Sequence, residues 1–178
     1  MIKFKEGDLI QLIKTGKYDV ALHGVNCHCK MSDGVALQIA KAFPIVEQAD
    51  LATRPLDKNK LGTFIAVDIS IKGKAVKVLN CYTQFNYAGF DIEEAELFDY
   101  KAFTAILKEV AKKFPKEKIV MPMIGTGHAG GDRDKILTII KQELKHNNVD
   151  VIIYCPYNKP KELTSLINKI KCLFIKIT

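Results

Sequence analysis

Long apolar runs are missing from this sequence of 178 residues. No stretch approaches the roughly 18 consecutive apolar residues that a membrane-spanning helix needs, so we expect no association with a membrane. The first ten residues, MIKFKEGDLI, also lack the apolar core and the small-residue cleavage site of a secretory signal peptide. We therefore expect a cytoplasmic protein.

Cysteines in a regular, paired arrangement are missing as well. The five cysteines, at positions 27, 29, 81, 155 and 172, form an odd set with irregular spacing, which argues against a disulfide framework. One residue separates Cys27 from Cys29, and this spacing is too tight for the usual C-x₂-C zinc motif. No second ligand pair follows at a matching distance. We expect no bound metal and no other cofactor.

The common nucleotide-binding motifs are also absent. No G-x-G-x-x-G fingerprint follows the first predicted strand, and the loop richest in glycine lacks the Lys and Ser/Thr of a P-loop. Hydride transfer from a dinucleotide and hydrolysis of ATP are therefore disfavoured.

Basic residues are in excess. The net charge of +7 and the pI of about 9.1 favour an anionic partner. The lysines are spread along the chain without the interleaved aromatic residues of a nucleic-acid-binding stripe, so nucleic acid is not an expected partner. A small phosphorylated ligand suits this composition, and a solvated lysine-rich surface is the structural alternative.

Short β-branched runs alternate with segments of helical periodicity. Strands are predicted at 2–5, 20–25, 63–68, 75–80, 118–121 and 149–155, and helices at 34–43, 99–114 and 132–147. This order predicts an α/β fold, a three-layer α-β-α sandwich with a central mixed, mostly parallel sheet. No linker divides the chain, so we expect a single domain over 1–178 and a monomer. Residues 159–178 are predicted to form a C-terminal extension with a helix (160–170) and an edge strand (172–177).

The first of three informative loops is VNCHCKMSDG (25–34), which follows a predicted strand. Ligands of α/β sheets bind beyond the carboxyl ends of the strands, and the helix that begins near Gly34 offers unpaired N–H groups to an anion. Asn26 carries both a donor and an acceptor for sugar hydroxyls. We interpret the two cysteines as small wall residues of this site. A catalytic thiol paired with His28 is the alternative.

The second loop is PMIGTGHAGGDRD (122–134), with four glycines at positions 125, 127, 130 and 131. Glycines are costly to order unless the backbone must approach something closely, and backbone donors around a phosphate would use them. The third loop is GDL (7–9). Its Asp8 is either a helix cap or an acceptor for an exocyclic amine such as N6 of adenine.

These segments resemble the macro domain family, whose members bind ADP-ribose and its derivatives. The resemblance covers residues 1–158 and rests on GDL (7–9), ALHGVNCHCKMSDGVALQIAKAFP (21–44), PMIGTGHAGG (122–131) and VIIYCP (151–156). It implies a small-molecule ligand, ADP-ribose or a derivative, and an ADP-ribosylated protein as a further candidate partner.

The resemblance also implies roles for individual residues. Asp8 and Leu9 would contact adenine, with Tyr154 as an aromatic wall beside it, and Asn26 would bind the distal ribose. The positions around the diphosphate would be Gly34 and Val35 on one side and Gly125, Thr126, Gly127, His128, Ala129 and Gly130 on the other. Gln84 completes the implied set of ligand-binding residues.

Within the family, the sequence looks closest to the branch of yeast and phage ADP-ribose-1″-phosphate phosphatases. His23 matches a histidine in the strand before the Asn-containing loop, and Asp132 matches an acidic residue of the glycine-rich loop. With Asn26 and His128, they form the set of candidate catalytic residues.

Three positions depart from the patterns of this branch. Gln84 stands where related glycohydrolases carry a lysine nucleophile, which argues against lysine-based glycohydrolysis. Arg133 replaces an aromatic residue. Asp33 replaces a glycine, and its carboxylate would either point to solvent or change the ligand, because it repels phosphates.

Three activities remain open at this point. The leading hypothesis is hydrolysis of ADP-ribose-1″-phosphate to ADP-ribose and phosphate, with a histidine as the acid–base and Asp132 orienting water. The alternatives are a non-catalytic ADP-ribose reader or sponge, and a hydrolase of ADP-ribosyl esters. The segment 85–100 is either a lid, with Phe85, Tyr87 and Phe90 over the sugar, or a surface loop whose Asp99 caps the next helix.

Overall fold

Strands and helices alternate along the chain. The computed structural model describes residues 1–87, 89 and 97–153. Its elements are β1 (Ile2–Glu6), α1 (Leu9–Lys14), β2 (Val20–Asn26), α2 (Gly34–Ala42), α3 (Pro44–Leu51), a 3₁₀ turn (Lys58–Lys60), β3 (Phe64–Ile71), β4 (Lys74–Gln84), α4 (Tyr100–Lys113), β5 (Lys118–Pro122), α5 (Arg133–Glu143) and β6 (Asn148–Ile153). All six predicted strands are present.

The six strands form one sheet in the order β1-β6-β5-β2-β4-β3. Neighbouring strands run parallel except at one edge, where β3 and β4 pair antiparallel. The prediction of a mixed, mostly parallel sheet is confirmed. The central strands are short and apolar because helices cover both of their faces.

Two apolar clusters bury the two faces of the sheet. On one face α4 and α5 contribute fully buried side chains such as Phe103 and Ile136. On the other face α1, α2 and α3 contribute Ile13, Ile39 and Val46, which are also fully buried. Each helix thus turns the apolar stripe of its periodic pattern toward the sheet. The predicted three-layer sandwich is confirmed.

The parallel strands bring three chain segments to the same edge of the sheet. The strands β2, β4 and β5 are neighbours that run in the same direction, so their carboxyl ends at Asn26, Gln84 and Pro122 lie close together. Asn26 pairs with Gln84 after a shift of register that follows Val25. The loops that leave these three ends therefore surround a common space.

Predicted and observed elements differ in two short helices and at several ends. The helices α1 and α3 span six and eight residues, too few for a periodic pattern to distinguish them from loops. The helix predicted to reach residue 147 ends at Glu143, and Asn147 instead donates its side-chain amide to the carbonyl oxygen of Phe114 at 2.9 Å.

Several predictions for the end of the chain lie outside the described residues. These are the last two residues of the strand 149–155, the helix 160–170 and the edge strand 172–177. Within residues 1–87 and 97–153, no helix has the length and apolar character that a membrane crossing requires.

Candidate ligand-binding site

A cavity of about 260 Å³ lies at the carboxyl ends of β2, β4 and β5. Two of the three predicted loops line it, the one after β2 and the glycine-rich one after β5, together with the segment after β4. The lining residues are Gly24, Val25, Asn26, Lys30, Ser32, Asp33, Gly34, Val35, Ala36, Thr83, Gln84, Tyr87, Pro122, Met123, Ile124, Gly125, Gly127, His128 and Ala129.

The floor of the cavity depends on Gly24 in β2. A Cβ atom at this position would lie 2.8 Å from Cγ2 of Ile124 and 2.9 Å from Oγ1 of Thr83. These distances are shorter than real side-chain contacts, so any other residue would displace both neighbours. Neither Gly24 nor Thr83 was predicted as a site residue, although Gly24 lies within the segment 21–44 that carries the family resemblance.

Asn26 organises the loop that follows β2. Its side-chain amide donates to the carbonyl oxygen of Lys30 at 2.6 Å, and its Oδ1 accepts from the N–H groups of His28 and Lys30 at 3.0 and 3.2 Å. The buried side chain also lines the cavity. Asn26 therefore shapes one wall of the site, and its contact with a distal ribose stays a prediction.

The first turn of α2 contributes backbone N–H groups to the cavity wall. The helix begins at Gly34, which has a φ of +56°, and Asp33 is its N-cap. The Asp33 carboxylate accepts from the N–H of Gly34 at 2.6 Å. Val35 and Ala36 come next and line the cavity, and their N–H groups have no acceptor in the described part of the chain.

The opposite wall is formed by residues 123–131, which we call the glycine loop. Three internal backbone hydrogen bonds fold it back on itself, from the N–H of Gly131 to the carbonyl of Gly125, from that of Gly130 to Gly127 and from that of Thr126 to Met123. Four residues of this loop line the cavity and have N–H groups that donate to no acceptor within residues 1–87 and 97–153. They are Gly125, Gly127, His128 and Ala129.

Part of the glycine content serves packing against Phe98. Gly125 has a φ of +89°, and a Cβ there would lie 2.4 Å from the Phe98 ring. A Cβ atom at Gly131 would lie 3.0 Å from the same ring. At Gly127 a Cβ would meet nothing within 4 Å. The glycine content alone had indicated a ligand, and it did not reveal the packing against Phe98, which lies 27 residues before Gly125 in the sequence.

A contact between two side chains joins the walls of the cavity. Nδ1 of His128 in the glycine loop contacts Oδ2 of Asp33, and both side chains are more than half exposed. The Asp33 carboxylate therefore binds the first turn of α2 with one oxygen and the glycine loop with the other. Asp33 was expected to point to solvent or to change the ligand. It lies at the mouth of the cavity.

His23 lies outside the cavity. Its side chain is fully buried under α3, and its Nε2 lies 2.6 Å from Oδ1 of Asn80, whose amide donates to the carbonyl of Val46. Burial lowers the pKa of His23 to about 4. His23 is not among the residues that line the cavity, and its catalytic role stays a prediction.

Asp132 also lies outside the cavity lining. It is the N-cap of α5, where its carboxylate accepts from the N–H of Lys135 at 2.8 Å and its own N–H donates to the hydroxyl of Tyr100. Its predicted role in orienting a water beside the ligand stays a prediction. A cap at the start of a helix accounts for the residue.

Four further predicted contact residues do not reach the cavity. Asp8 caps α1 by accepting from the N–H of Gln11 at 2.9 Å, and Leu9 packs in the core. Thr126 and Gly130 belong to the glycine loop but are not among the lining residues. The predicted adenine contacts of Asp8 and Leu9 stay predictions, and Tyr154 and Phe90 lie outside the described residues.

The segment after β4 forms the third side of the cavity. Gln84 donates its amide to the carbonyl of Asn86 at 2.7 Å, which holds the chain in a turn. Tyr87 lines the cavity, and Lys30 places its Nζ 3.3 Å from the Tyr87 hydroxyl. The His28 ring packs edge-on against Tyr87 and Phe85. Part of the predicted lid thus borders the site.

The two cysteines of the loop 25–34 do not line the cavity. Cys27 is fully buried in the core, and burial raises the pKa of its thiol to about 11. Cys29 is buried beneath Lys60, whose Nζ lies 3.0 Å from its Sγ. The interpretation of the cysteines as walls of the site is therefore wrong, and neither thiol is placed to attack a ligand there.

Comparison with solved structures identifies the fold. The macrodomain of Mycobacterium tuberculosis DarG superposes with a TM-score of 0.67, at 20% identity, over 88% of this chain and 98% of that one. Thermosipho africanus DarTG in complex with ADP-ribose gives a TM-score of 0.68, at 16% identity, over 91% of this chain and 43% of that one. The fold is that of a macrodomain.

Comparison with protein sequences identifies the family. No family model matches the sequence. An uncharacterized 17.5 kDa protein of Enterobacteria phage T4, from the tk-vs intergenic region, is 34% identical over 145 residues, which cover 79% of this chain and 88% of the phage protein. The chain belongs to the same family as this phage protein.

Proposed function

We propose that this chain binds ADP-ribose, with the diphosphate held between the first turn of α2 and the glycine loop. One observation carries this proposal. Within the described residues, six backbone N–H groups on opposing walls of the cavity have no acceptor, those of Val35, Ala36, Gly125, Gly127, His128 and Ala129. Phosphate oxygens are natural acceptors for N–H groups in a glycine-rich loop and at a helix N-terminus.

Two other facts support this ligand. The net charge of +7 attracts anions from solution. T. africanus DarTG, a protein of the same fold, has been solved in complex with ADP-ribose. In such a ligand a diphosphate joins two pentoses, and Asn26 and Thr83, which line the same cavity, carry polar groups of the kind that binds the hydroxyls of a pentose.

Titration calorimetry with ADP-ribose tests the proposal, with AMP as the comparison ligand because it lacks the diphosphate and the second pentose. Gly127 provides a matched pair of variants, since it lines the cavity and its Cβ would meet open space. Gly127→Glu places a carboxylate at the mouth of the site, and Gly127→Gln adds a side chain of the same size without charge.

We expect ADP-ribose to bind the wild type more tightly than AMP does. Gly127→Glu should weaken binding by about tenfold relative to Gly127→Gln, the order of the repulsion between unit charges a few ångströms apart in water. Both variants should unfold at the temperature of the wild type. Absence of heat with ADP-ribose in a folded wild type would refute the proposal.

We further propose, as a second candidate function, hydrolysis of ADP-ribose-1″-phosphate, the activity of the branch that the sequence resembles. The observation that favours it is the contact of His128 with Asp33 at the cavity mouth. A carboxylate on Nδ1 leaves Nε2 of the imidazole for proton transfer. Water would attack phosphorus, the bond to the 1″ oxygen would break, and His128 would protonate that oxygen.

Release of inorganic phosphate from ADP-ribose-1″-phosphate measures this activity. We expect His128→Gln to lose at least tenfold in rate while ADP-ribose still binds. ADP-ribose binding without phosphate release would leave the reader or sponge as the function. Release of ADP-ribose from an automodified protein would instead indicate the hydrolase of ADP-ribosyl esters.

A further inference from the structure

We infer that Asp33 is an internal anion that competes with the ligand diphosphate, and that this residue sets how tightly the site binds diphosphate-containing ligands. The inference deepens the proposed function and rests on it for the identity of the ligand. The resemblance to other macro domains implies a glycine at this position, so the effect is a property of this chain.

The contacts of Asp33 place its carboxylate where a ligand anion is expected. One oxygen accepts from the N–H of Gly34 at 2.6 Å, directly before the unpaired N–H groups of Val35 and Ala36. The other oxygen contacts His128, whose own N–H group lines the opposite wall. The carboxylate thus bridges the same two walls that a diphosphate would bridge.

Asp33 places a negative charge in the lining of the cavity. Of the described lining residues, Asp33 is the one carboxylate, and the titratable groups around it are Lys30, Tyr87 and His128. Lys30 directs its Nζ to the hydroxyl and ring of Tyr87. His128 contacts one of the two carboxylate oxygens of Asp33 through Nδ1. A diphosphate that enters the site must therefore approach a negative charge or displace it.

The size of the effect follows from Coulomb's law. The Asp33 side chain is 61% exposed, so the dielectric constant of water applies rather than that of a protein interior. We take one charge of the diphosphate to lie about 4 Å from the Asp33 carboxylate and the second charge to lie farther away. The repulsion between Asp33 and these two charges corresponds to about a tenfold change in affinity. Salt weakens it, because screening acts on exposed charges.

Asp33→Asn is the variant that isolates the charge. Asparagine is as good an N-cap as aspartate, so α2 keeps its first turn and the fold is retained. Asp57→Asn is the matched control. Asp57 caps the 3₁₀ turn by accepting from the N–H of Asn59 at 2.9 Å, and it is not among the cavity lining.

The experiment titrates ADP-ribose and, separately, inorganic pyrophosphate into the wild type, Asp33→Asn and Asp57→Asn at low and high salt. We expect Asp33→Asn to bind both ligands about tenfold more tightly than the wild type at low salt, with a smaller difference at high salt. Asp57→Asn should bind as the wild type does.

The two ligands separate this inference from the proposed function. Equal or weaker binding of ADP-ribose by Asp33→Asn overturns the inference and leaves the proposed function intact. Tighter binding of pyrophosphate by Asp33→Asn, with no ADP-ribose binding in any variant, supports the role of Asp33 and overturns the proposed function. If no variant binds either ligand, both are overturned.

Discussion

His23 should make the stability of this protein depend on pH below neutrality. The imidazole is fully buried, its Nε2 lies 2.6 Å from Oδ1 of Asn80, and its Nδ1 finds no partner among the described residues. Burial penalises the charged imidazolium and lowers the pKa from 6.5 to about 4. In the unfolded chain the same group titrates near its ordinary value.

The difference between the folded and the unfolded pKa of His23 determines how the stability changes with pH and by how much. Because the folded pKa lies below the unfolded one, protons bind preferentially to the unfolded chain as the pH falls. The contribution of His23 to stability is complete above pH 6.5 and is lost progressively between pH 6.5 and pH 4. At 1.36 kcal/mol per pKa unit, the loss is about 3 kcal/mol.

The assay is urea unfolding of the wild type and of His23→Gln at pH 7 and pH 4. The glutamine amide can still donate to Asn80 but does not titrate in this range. Between pH 7 and pH 4 the free energy of unfolding of the wild type should fall by about 3 kcal/mol more than that of the variant, since the other titrating groups are common to both. Parallel losses in the two proteins would refute the assignment of His23 as a neutral buried residue.

Two further predictions concern the glycine loop and the buried Asp150 of β6. Gly125→Ala should lower the free energy of unfolding by at least about 2 kcal/mol, because the φ of Gly125 is positive and a Cβ there would clash with Phe98. Gly127→Ala should change the free energy of unfolding little, because a Cβ there meets open space. Equal melting temperatures of the two variants would contradict this prediction. Asp150→Asn should cost about 2–3 kcal/mol in urea unfolding at pH 7, because the buried Asp150 carboxylate accepts at 2.6 Å from a lysine and from the Tyr18 hydroxyl. A loss below 1 kcal/mol would count against this bond network.

Local patterns predicted the sheet and three of the five helices because each pattern is set by neighbouring residues. The periodic apolar residues of α4 predicted the helix at 99–114. Asp99 caps this helix, as one of the two alternatives for the segment 85–100 proposed. The strand exits also placed Asn26 and most of the glycine loop at one edge of the sheet. Eight of the predicted ligand-binding residues line the cavity, namely Asn26, Gly34, Val35, Gln84, Gly125, Gly127, His128 and Ala129.

Two predicted catalytic residues that are absent from the cavity lining, His23 and Asp132, were chosen by motif position rather than by orientation. His23 and Gly24 are neighbours in β2, and a strand turns successive side chains to opposite faces. A motif shows that the region borders a ligand, but not which of the two residues faces it. Asp132 was assigned a catalytic role at a position where a helix start needs a cap.

The sequence by itself determined the layers, the sheet and the approach of two loops rich in N–H groups, since these follow from periodicity and from glycine content. Tertiary structure decided which side chains meet. Asp33 and His128 stand 95 residues apart and touch across the cavity, and the Phe98 ring takes the space beside Gly125. Such contacts depend on how β2, β4 and β5 are ordered in the sheet. The periodicity of residues along the chain does not determine that order.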